Sequence, residues 1–210
     1  QRPDDIEALR VLAQVAQRNE FAKDAATLLE AVLKASPGYR AARHDYVLAL
    51  IDLHQHKQAR EQIDRLIEAE PDNPMHRMTR AGILVGEGAT AAAIAEYEQL
   101  ARIQAYNPEL QLSMGHALKT EGRREDAERA YREAARQRPT FGDAYWSLAN
   151  LKTYRFDDEQ LAVMREMVAA PRVALADRYH LCFALGKALE DRGEHAESFA
   201  YYERGNALKR

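Results

Sequence analysis

The residues best able to do chemistry are few and widely spaced. The chain of 210 residues has seven histidines, and His54 and His56 are separated by one residue. A zinc site needs three or four converging ligands, but Asp52 is the only oxygen ligand near this pair and no cysteine is close. The pattern therefore favours a solvated turn between helices over a metal site.

The single cysteine and the paired carboxylates also favour structural roles. Cys182 has no base or cation at a spacing that would activate its thiol, so we expect a buried, unreactive side chain. Asp157 and Asp158 precede an apolar stripe of helical spacing that starts at Leu161. A carboxylate at that place caps a helix and complements its dipole, and we expect this role for one of the pair.

Composition indicates a helical globular chain without an electrostatic signature. Hydrophobic residues make up 46% and charged residues 30%, and the net charge is −3. This balance lacks the excess of basic residues that binds nucleic acid or an anionic membrane. No apolar run approaches the length that spans a bilayer. We therefore expect no nucleic-acid partner, no membrane span and a cytoplasmic location.

A repeat of 34 residues runs along the chain and sets the places of these side chains. A small residue recurs at this period, a second small residue follows it by twelve positions, and a large residue follows that by four. The three columns are Ala13, Val47, Ala81, Gly115 and Ala149; Ala25, Ala59, Ala93 and Ala127; and Leu29, Ile63, Tyr97 and Tyr131. Proline ends the unit at Pro37, Pro71 and Pro139, and Ala105 interrupts that fourth column.

The columns have a steric cause. Two antiparallel helices approach closely only where one lacks bulk, so the small residue of the first helix faces the alanine of the second. The large residue one turn later fills the space beside them, and proline helps to end the second helix because it lacks an N–H. A helix-turn-helix unit of this period is identified as a tetratricopeptide repeat (TPR).

The TPR resemblance implies an all-α, right-handed α-solenoid of about six units. We expect a single array over residues 1–210, with units at about 6–39, 40–73, 74–107, 108–141, an irregular 142–175, and 176–210. The first ten helices are expected at about 5–18, 21–35, 40–53, 56–69, 74–87, 90–103, 108–121, 124–137, 142–154 and 157–169. In the fifth unit, Leu161 and Arg165 stand where an alanine and an aromatic residue belong, and residues 170–175 lengthen the next connection.

The last two units also resemble a narrower family. Residues 144–156, 183–193 and 205–210 are similar to the junction of bacterial proteins that join an N-terminal TPR array to a C-terminal sulfotransferase domain. Such a domain binds 3′-phosphoadenosine 5′-phosphosulfate through a Gly/Ser/Thr-rich phosphate loop. Gly186-Lys187 does not form one, because an alanine follows and Leu181 stands where the loop needs glycine. The resemblance implies the non-catalytic part of a larger sulfotransferase, with the catalytic domain in cis and no cofactor in this segment.

TPR geometry implies which side chains face a concave groove. The first helix of each unit lines it with its second, fifth, ninth, twelfth and thirteenth positions. The candidate peptide-binding residues are Arg10, Gln14, His44, Leu48, Met75, Met78, Leu112, His116, Trp146, Asn150, Phe183 and Lys187. The groove is apolar in its middle, where methionine suits adaptable contact with a peptide, and polar at its ends.

Two alternatives stay open for these side chains. Leu48 and Met78 either contact a ligand or pack between neighbouring first helices. Trp146 is expected to project into the groove with Asn150 one turn further along the same helix, where the amide would bond a peptide backbone. The alternative is that Trp146 packs against Phe183.

The sequence thus predicts a protein-binding or peptide-binding function with no catalytic residue, cofactor or metal. The clamp by which some TPR proteins grip a terminal carboxylate is not assembled, because Arg10, Asn150 and Lys187 lie in separate units. The asparagine ladder of sugar-transferring TPR enzymes is missing as well. A free-standing adaptor or chaperone is the alternative to the sulfotransferase parent, and a self-assembling array is a third class.

Overall fold

The helices follow the predicted pairs closely. A computed structural model describes the backbone of residues 3–210 and the side chains of residues 5–210. This part of the chain forms twelve α-helices and no strand. They are α1 (Pro3–Arg18), α2 (Ala22–Ala35), α3 (Arg40–Asp52), α4 (His56–Ala69), α5 (Pro74–Gly86), α6 (Thr90–Ile103), α7 (Pro108–Thr120), α8 (Arg124–Gln137), α9 (Gly142–Ala149), α10 (Asp158–Ala169), α11 (Leu175–Asp191) and α12 (His195–Lys209).

The repeat columns form the core of this all-α fold. Every member of the three predicted columns is buried, and Tyr131 and Leu29 are among the largest side chains with almost no exposure. The predicted all-α fold of paired helices is therefore confirmed. None of the helices in residues 3–210 is long and apolar enough to cross a membrane.

Contacts divide the described chain into two compact units, one ending at Leu100 and the other beginning at Ala101. In the first unit α1 packs on α2, α2 on α3, α3 on α4, and α4 on α5. Leu29 and Val32 of α2 form one buried cluster with Ala42 and Ala49 of α3. The packing is that of repeated helix pairs, and the extent of a single array stays a prediction.

In the second unit α7 packs on α8, α8 on α9, α9 on α11, α10 on α11, and α11 on α12. Gly115 on α7 lies against the ring of Tyr131 on α8, and Gly186 on α11 lies against Tyr202 on α12. The Oγ atom of Ser198 donates to the carbonyl of Gly186 at 2.7 Å. The sixth helix pair therefore uses the same close approach as the fourth.

The first helix of the fifth pair is shorter than predicted. We predicted residues 142–154, but α9 ends at Ala149. The Asn150 amide donates to the carbonyl of Trp146 at 3.0 Å, and Lys152 has a left-handed φ of 62°. Phe156 then anchors the loop, since its ring is buried and its carbonyl accepts a hydrogen bond from Arg192 at 2.9 Å. These contacts outweigh the helical pattern, so Tyr154 lies in a loop.

The next helix begins as predicted. The Asp157 carboxylate accepts a hydrogen bond from the backbone N–H of Gln160 at 2.8 Å. The Gln160 side-chain oxygen accepts one from the backbone N–H of Asp157 at 3.2 Å. This reciprocal pair is a capping box, so the expected cap is confirmed and belongs to Asp157.

Candidate functional site

The predicted groove residues fall into two sets, one in each compact unit. In the first unit the polar set is engaged with the chain itself. Arg10 Nε donates to Asp45 Oδ2 at 2.8 Å, and Gln14 Nε2 donates to the same oxygen at 3.0 Å. Arg10 also donates to the hydroxyl of Tyr39 at 3.1 Å. Asp45 therefore ties α1 to α3 and occupies two of the side chains predicted to meet a ligand.

Two neighbouring imidazoles, one partly buried and one buried, lie further along the first unit. The ring centroids of His44 and His76 are 6.0 Å apart. His76 Nε2 lies 2.8 Å from a carboxylate oxygen of Glu70, while His76 Nδ1 and His44 Nε2 have no hydrogen-bond partner among the described residues. Burial lowers the pKa of His44, although the nearby Asp45 opposes this. Across residues 5–210 no three potential ligands converge on a metal site.

The apolar candidates of the first unit differ in exposure. Met75 is 59% exposed, whereas Leu48 and Met78 are partly buried. Met75 lies in the first turn of α5, where Asn73 caps the helix by accepting from the Met75 N–H at 3.1 Å. Met75 is thus available to a ligand, while Leu48 and Met78 combine packing with partial exposure.

In the second unit three aromatic side chains form a continuous surface, which we call the aromatic row: Trp146 on α9, and Tyr179 and Phe183 on α11. The ring centroids of Trp146 and Phe183 are 5.6 Å apart, and those of Tyr179 and Phe183 are 6.1 Å apart. Phe183 rests on Gly205 of α12, where an added Cβ would lie 2.6 Å from its ring. All three aromatic side chains are only partly buried, so Trp146 packs against Phe183 and still presents surface to a ligand.

Asp143 lies one turn before Trp146 on α9 and was missed by the sequence analysis. Its charge acts on His116 of α7 and His180 of α11, where burial lowers the pKa of each imidazole and Asp143 opposes that lowering. Ser147 Oγ donates to Asp143 at a long 3.5 Å. Asp143 occupies the second position of the fifth repeat, and Met75 occupies the same position of the third repeat. The repeat register could therefore have identified Asp143 as a groove residue.

The other candidates of the second unit have partners within the chain. Tyr131 OH lies 3.0 Å from His116 Nδ1. Burial raises the pKa of Tyr131 well above its ordinary value, so the phenol is neutral. Lys187 pairs with Asp191 on α11, and the Asn150 amide caps the end of α9. Leu112 is buried, whereas His116 and Asn150 stay exposed, and the aromatic row is the apolar part of this set that a ligand can reach.

Three residues singled out for chemistry have structural positions. Cys182 is fully buried, and burial raises the pKa of its thiol, which confirms the expected buried side chain. His54 has a φ of 57°, at the place in the repeat where Gly88 has a φ of 78°. Its neighbour His56 packs against Gly86, where an added Cβ would lie 2.5 Å from the ring. His54 therefore lies in the turn between α3 and α4, and His56 packs at the start of α4.

Sequence comparison identifies the family. A family model described as tetratricopeptide repeat matches residues 22–83 and 84–151, and a second model with the same description matches residues 179–210. These matches cover more than half of the chain, which therefore belongs to the tetratricopeptide repeat family. No curated protein gives a significant match.

Solved structures of similar fold include chains of three other proteins. A thermophilic TPR protein of Thermus thermophilus has 21% identity and a TM-score of 0.64, over 86% of this chain and 98% of that one. PilW, described as a widely conserved type IV pilus biogenesis factor, has 18% identity and a TM-score of 0.67, over 98% and 94%. MamA from Desulfovibrio magneticus has 13% identity and a TM-score of 0.59, over 98% and 96%. Identities this low show the shared fold alone.

Proposed function

We propose that this TPR chain is a non-catalytic interaction scaffold that binds a partner peptide on the aromatic row of its second unit. The observation that supports the proposal is the partial exposure of Trp146, Tyr179 and Phe183 on two helices packed against each other. Large aromatic side chains supply wide apolar contact area at low entropic cost, and they dominate binding hot spots.

The first unit offers less for such a ligand. Asp45 holds Arg10 and Gln14, so a ligand that used these groups would first have to break hydrogen bonds inside the chain. The aromatic row carries no such cost, because its partly exposed ring surfaces make no hydrogen bonds that would be lost. A peptide that covers the row would bury apolar surface without competing for polar partners.

Selection from a phage-displayed peptide library, followed by calorimetry with the best synthetic peptide, tests this function. Trp146→Ala should weaken binding by about 2 kcal/mol, or roughly thirty-fold. The matched control is Met75→Ala, which removes an exposed apolar side chain from the first unit. Equal affinity in the parent and Trp146→Ala, or a loss confined to Met75→Ala, would place the ligand elsewhere and overturn the proposal.

A larger role as the N-terminal part of a bacterial sulfotransferase, located in the cytoplasm, is the second candidate. It is supported by the resemblance of residues 144–156, 183–193 and 205–210 to the junction of TPR–sulfotransferase fusions. Reading the coding region after Arg210 tests it. A Gly/Ser/Thr-rich phosphate loop within about 50 codons supports it, whereas a stop codon in that interval favours a free-standing adaptor.

A further inference from the structure

The aromatic row has a carboxylate at its edge without a cationic partner. Asp143 and Trp146 are three residues apart on α9, and this spacing places them on one helix face. Among the described side chains, no ion pair joins Asp143 to a lysine or arginine, and its hydrogen bond from Ser147 is long. A nearby cation stabilises a partly buried carboxylate that lacks an ion pair more than it stabilises a fully hydrated carboxylate.

Two carboxylates, Asp143 and Asp177, and two lysines, Lys119 and Lys209, act on the imidazoles near this place. Lys119 and Lys209 border the site, but Asp143 acts more strongly than Lys119 on His116 and more strongly than Lys209 on His180. Burial lowers the pKa of both imidazoles, which favours their neutral form. Asp143 is the one of these charges that acts on both imidazoles.

Two aromatic rings of this unit already lie against cationic side chains of the same chain. Lys209 Nζ lies 5.8 Å from the ring centroid of Tyr179, and the Arg138 guanidinium lies 3.6 Å from that of Phe141. A cation over an aromatic face is attracted by the quadrupole of the ring. The row therefore combines the two features that recognise a guanidinium: flat aromatic surface and a carboxylate.

We infer that Asp143 and the aromatic row bind a basic side chain of the partner peptide, best an arginine, with the guanidinium at the carboxylate and its planar face toward Trp146. This inference rests on the proposed function and adds the chemical class of the ligand. Arginine fits better than lysine because its planar group stacks on rings and bonds a carboxylate with two donors.

Fluorescence titration of the full chain tests the inference, because Trp146 is the single tryptophan and its emission reports on this site. The probes are three blocked pentapeptides, Ac-Ala-Leu-X-Leu-Ala-NH2, in which X is arginine, citrulline or glutamate. Citrulline has the shape of arginine without its charge. The arginine peptide should bind roughly five-fold more tightly than the citrulline peptide, and the glutamate peptide should bind most weakly.

Asp143→Asn should bring the affinity ratio between the arginine and citrulline peptides close to one. Asp158→Asn is the matched control, since it removes a carboxylate from the first turn of a different helix, α10, and should leave that ratio unchanged. If Asp143→Asn does not fold, the salt dependence of peptide binding by the parent chain is measured instead. Raising NaCl from about 0.05 to about 1 M should weaken the arginine peptide selectively, because it screens the carboxylate.

The outcomes separate the two proposals. Equal binding of the arginine and citrulline peptides, or a ratio preserved in Asp143→Asn, overturns the inference and leaves peptide binding on the aromatic row intact. Preference for the glutamate peptide overturns it as well. If none of the peptides changes the emission of Trp146 at millimolar concentration, both the inference and the proposed function fail at this surface.

Discussion

The ring of Tyr131 lies directly against Gly115: a Cβ added to Gly115 would be 2.5 Å from Cε1 of that ring. The ring is fully buried and its hydroxyl meets His116 Nδ1 at 3.0 Å, so it has little freedom to move. Because Gly115 has no Cβ, it leaves the space that the Tyr131 ring occupies.

Gly115→Ala should destabilise the chain, because the methyl group overpacks the contact with Tyr131. We expect a loss of about 1 kcal/mol in the free energy of unfolding, measured by urea denaturation. Gly82→Ala is the matched control, since Gly82 also lies inside a first helix and has open space where a Cβ would be. It should gain about 0.5–1 kcal/mol from helix propensity. A gain in both variants would contradict the packing.

The second small column gives a related prediction. Ala127 is fully buried on α8, so Ala127→Phe should cost roughly 1–3 kcal/mol of unfolding free energy. Ala162→Phe places the same ring on an exposed site of α10 and should change stability little. An Ala127→Phe variant that melts within a degree of the parent would show that this column does not face the first helix.

The cap of α10 can be tested on its own. Asp157→Ala removes the acceptor for the Gln160 N–H and should destabilise the chain by about 1 kcal/mol in thermal or urea unfolding. Asp157→Ser keeps an acceptor at the cap and should recover most of that loss. No difference between the two substitutions would show that the capping hydrogen bond adds nothing.

Acid should destabilise the first unit through His44. Burial lowers the pKa of this imidazole in the folded chain, so below about pH 6.5 the unfolded chain takes up a proton that the folded chain does not. Stability should therefore be full above about pH 6.5 and fall as the pH drops below it. Melting temperatures between about pH 8 and pH 5 should show a shallower slope for His44→Gln than for the parent, and an unchanged slope would contradict this account.

Local periodicity predicted most of the fold because the first four repeats bury the same three columns between their paired helices. The helix boundaries failed at α9, where the end of the helix depends on Phe156 and Arg192, which are distant in sequence. The candidate site was predicted less well. Register located Trp146 and Phe183, but it could not show that Asp45 occupies Arg10 and Gln14, because a register gives positions and not hydrogen-bond partners.

The most direct test of the central claim is amide chemical-shift mapping by NMR, with the full chain and a peptide from the library selection. The largest shifts should cluster on α9 and α11, around Trp146 and Phe183, and the indole N–H resonance of Trp146 should move with them. Shifts concentrated on α1 and α3 with an unmoved indole resonance would contradict binding at the aromatic row.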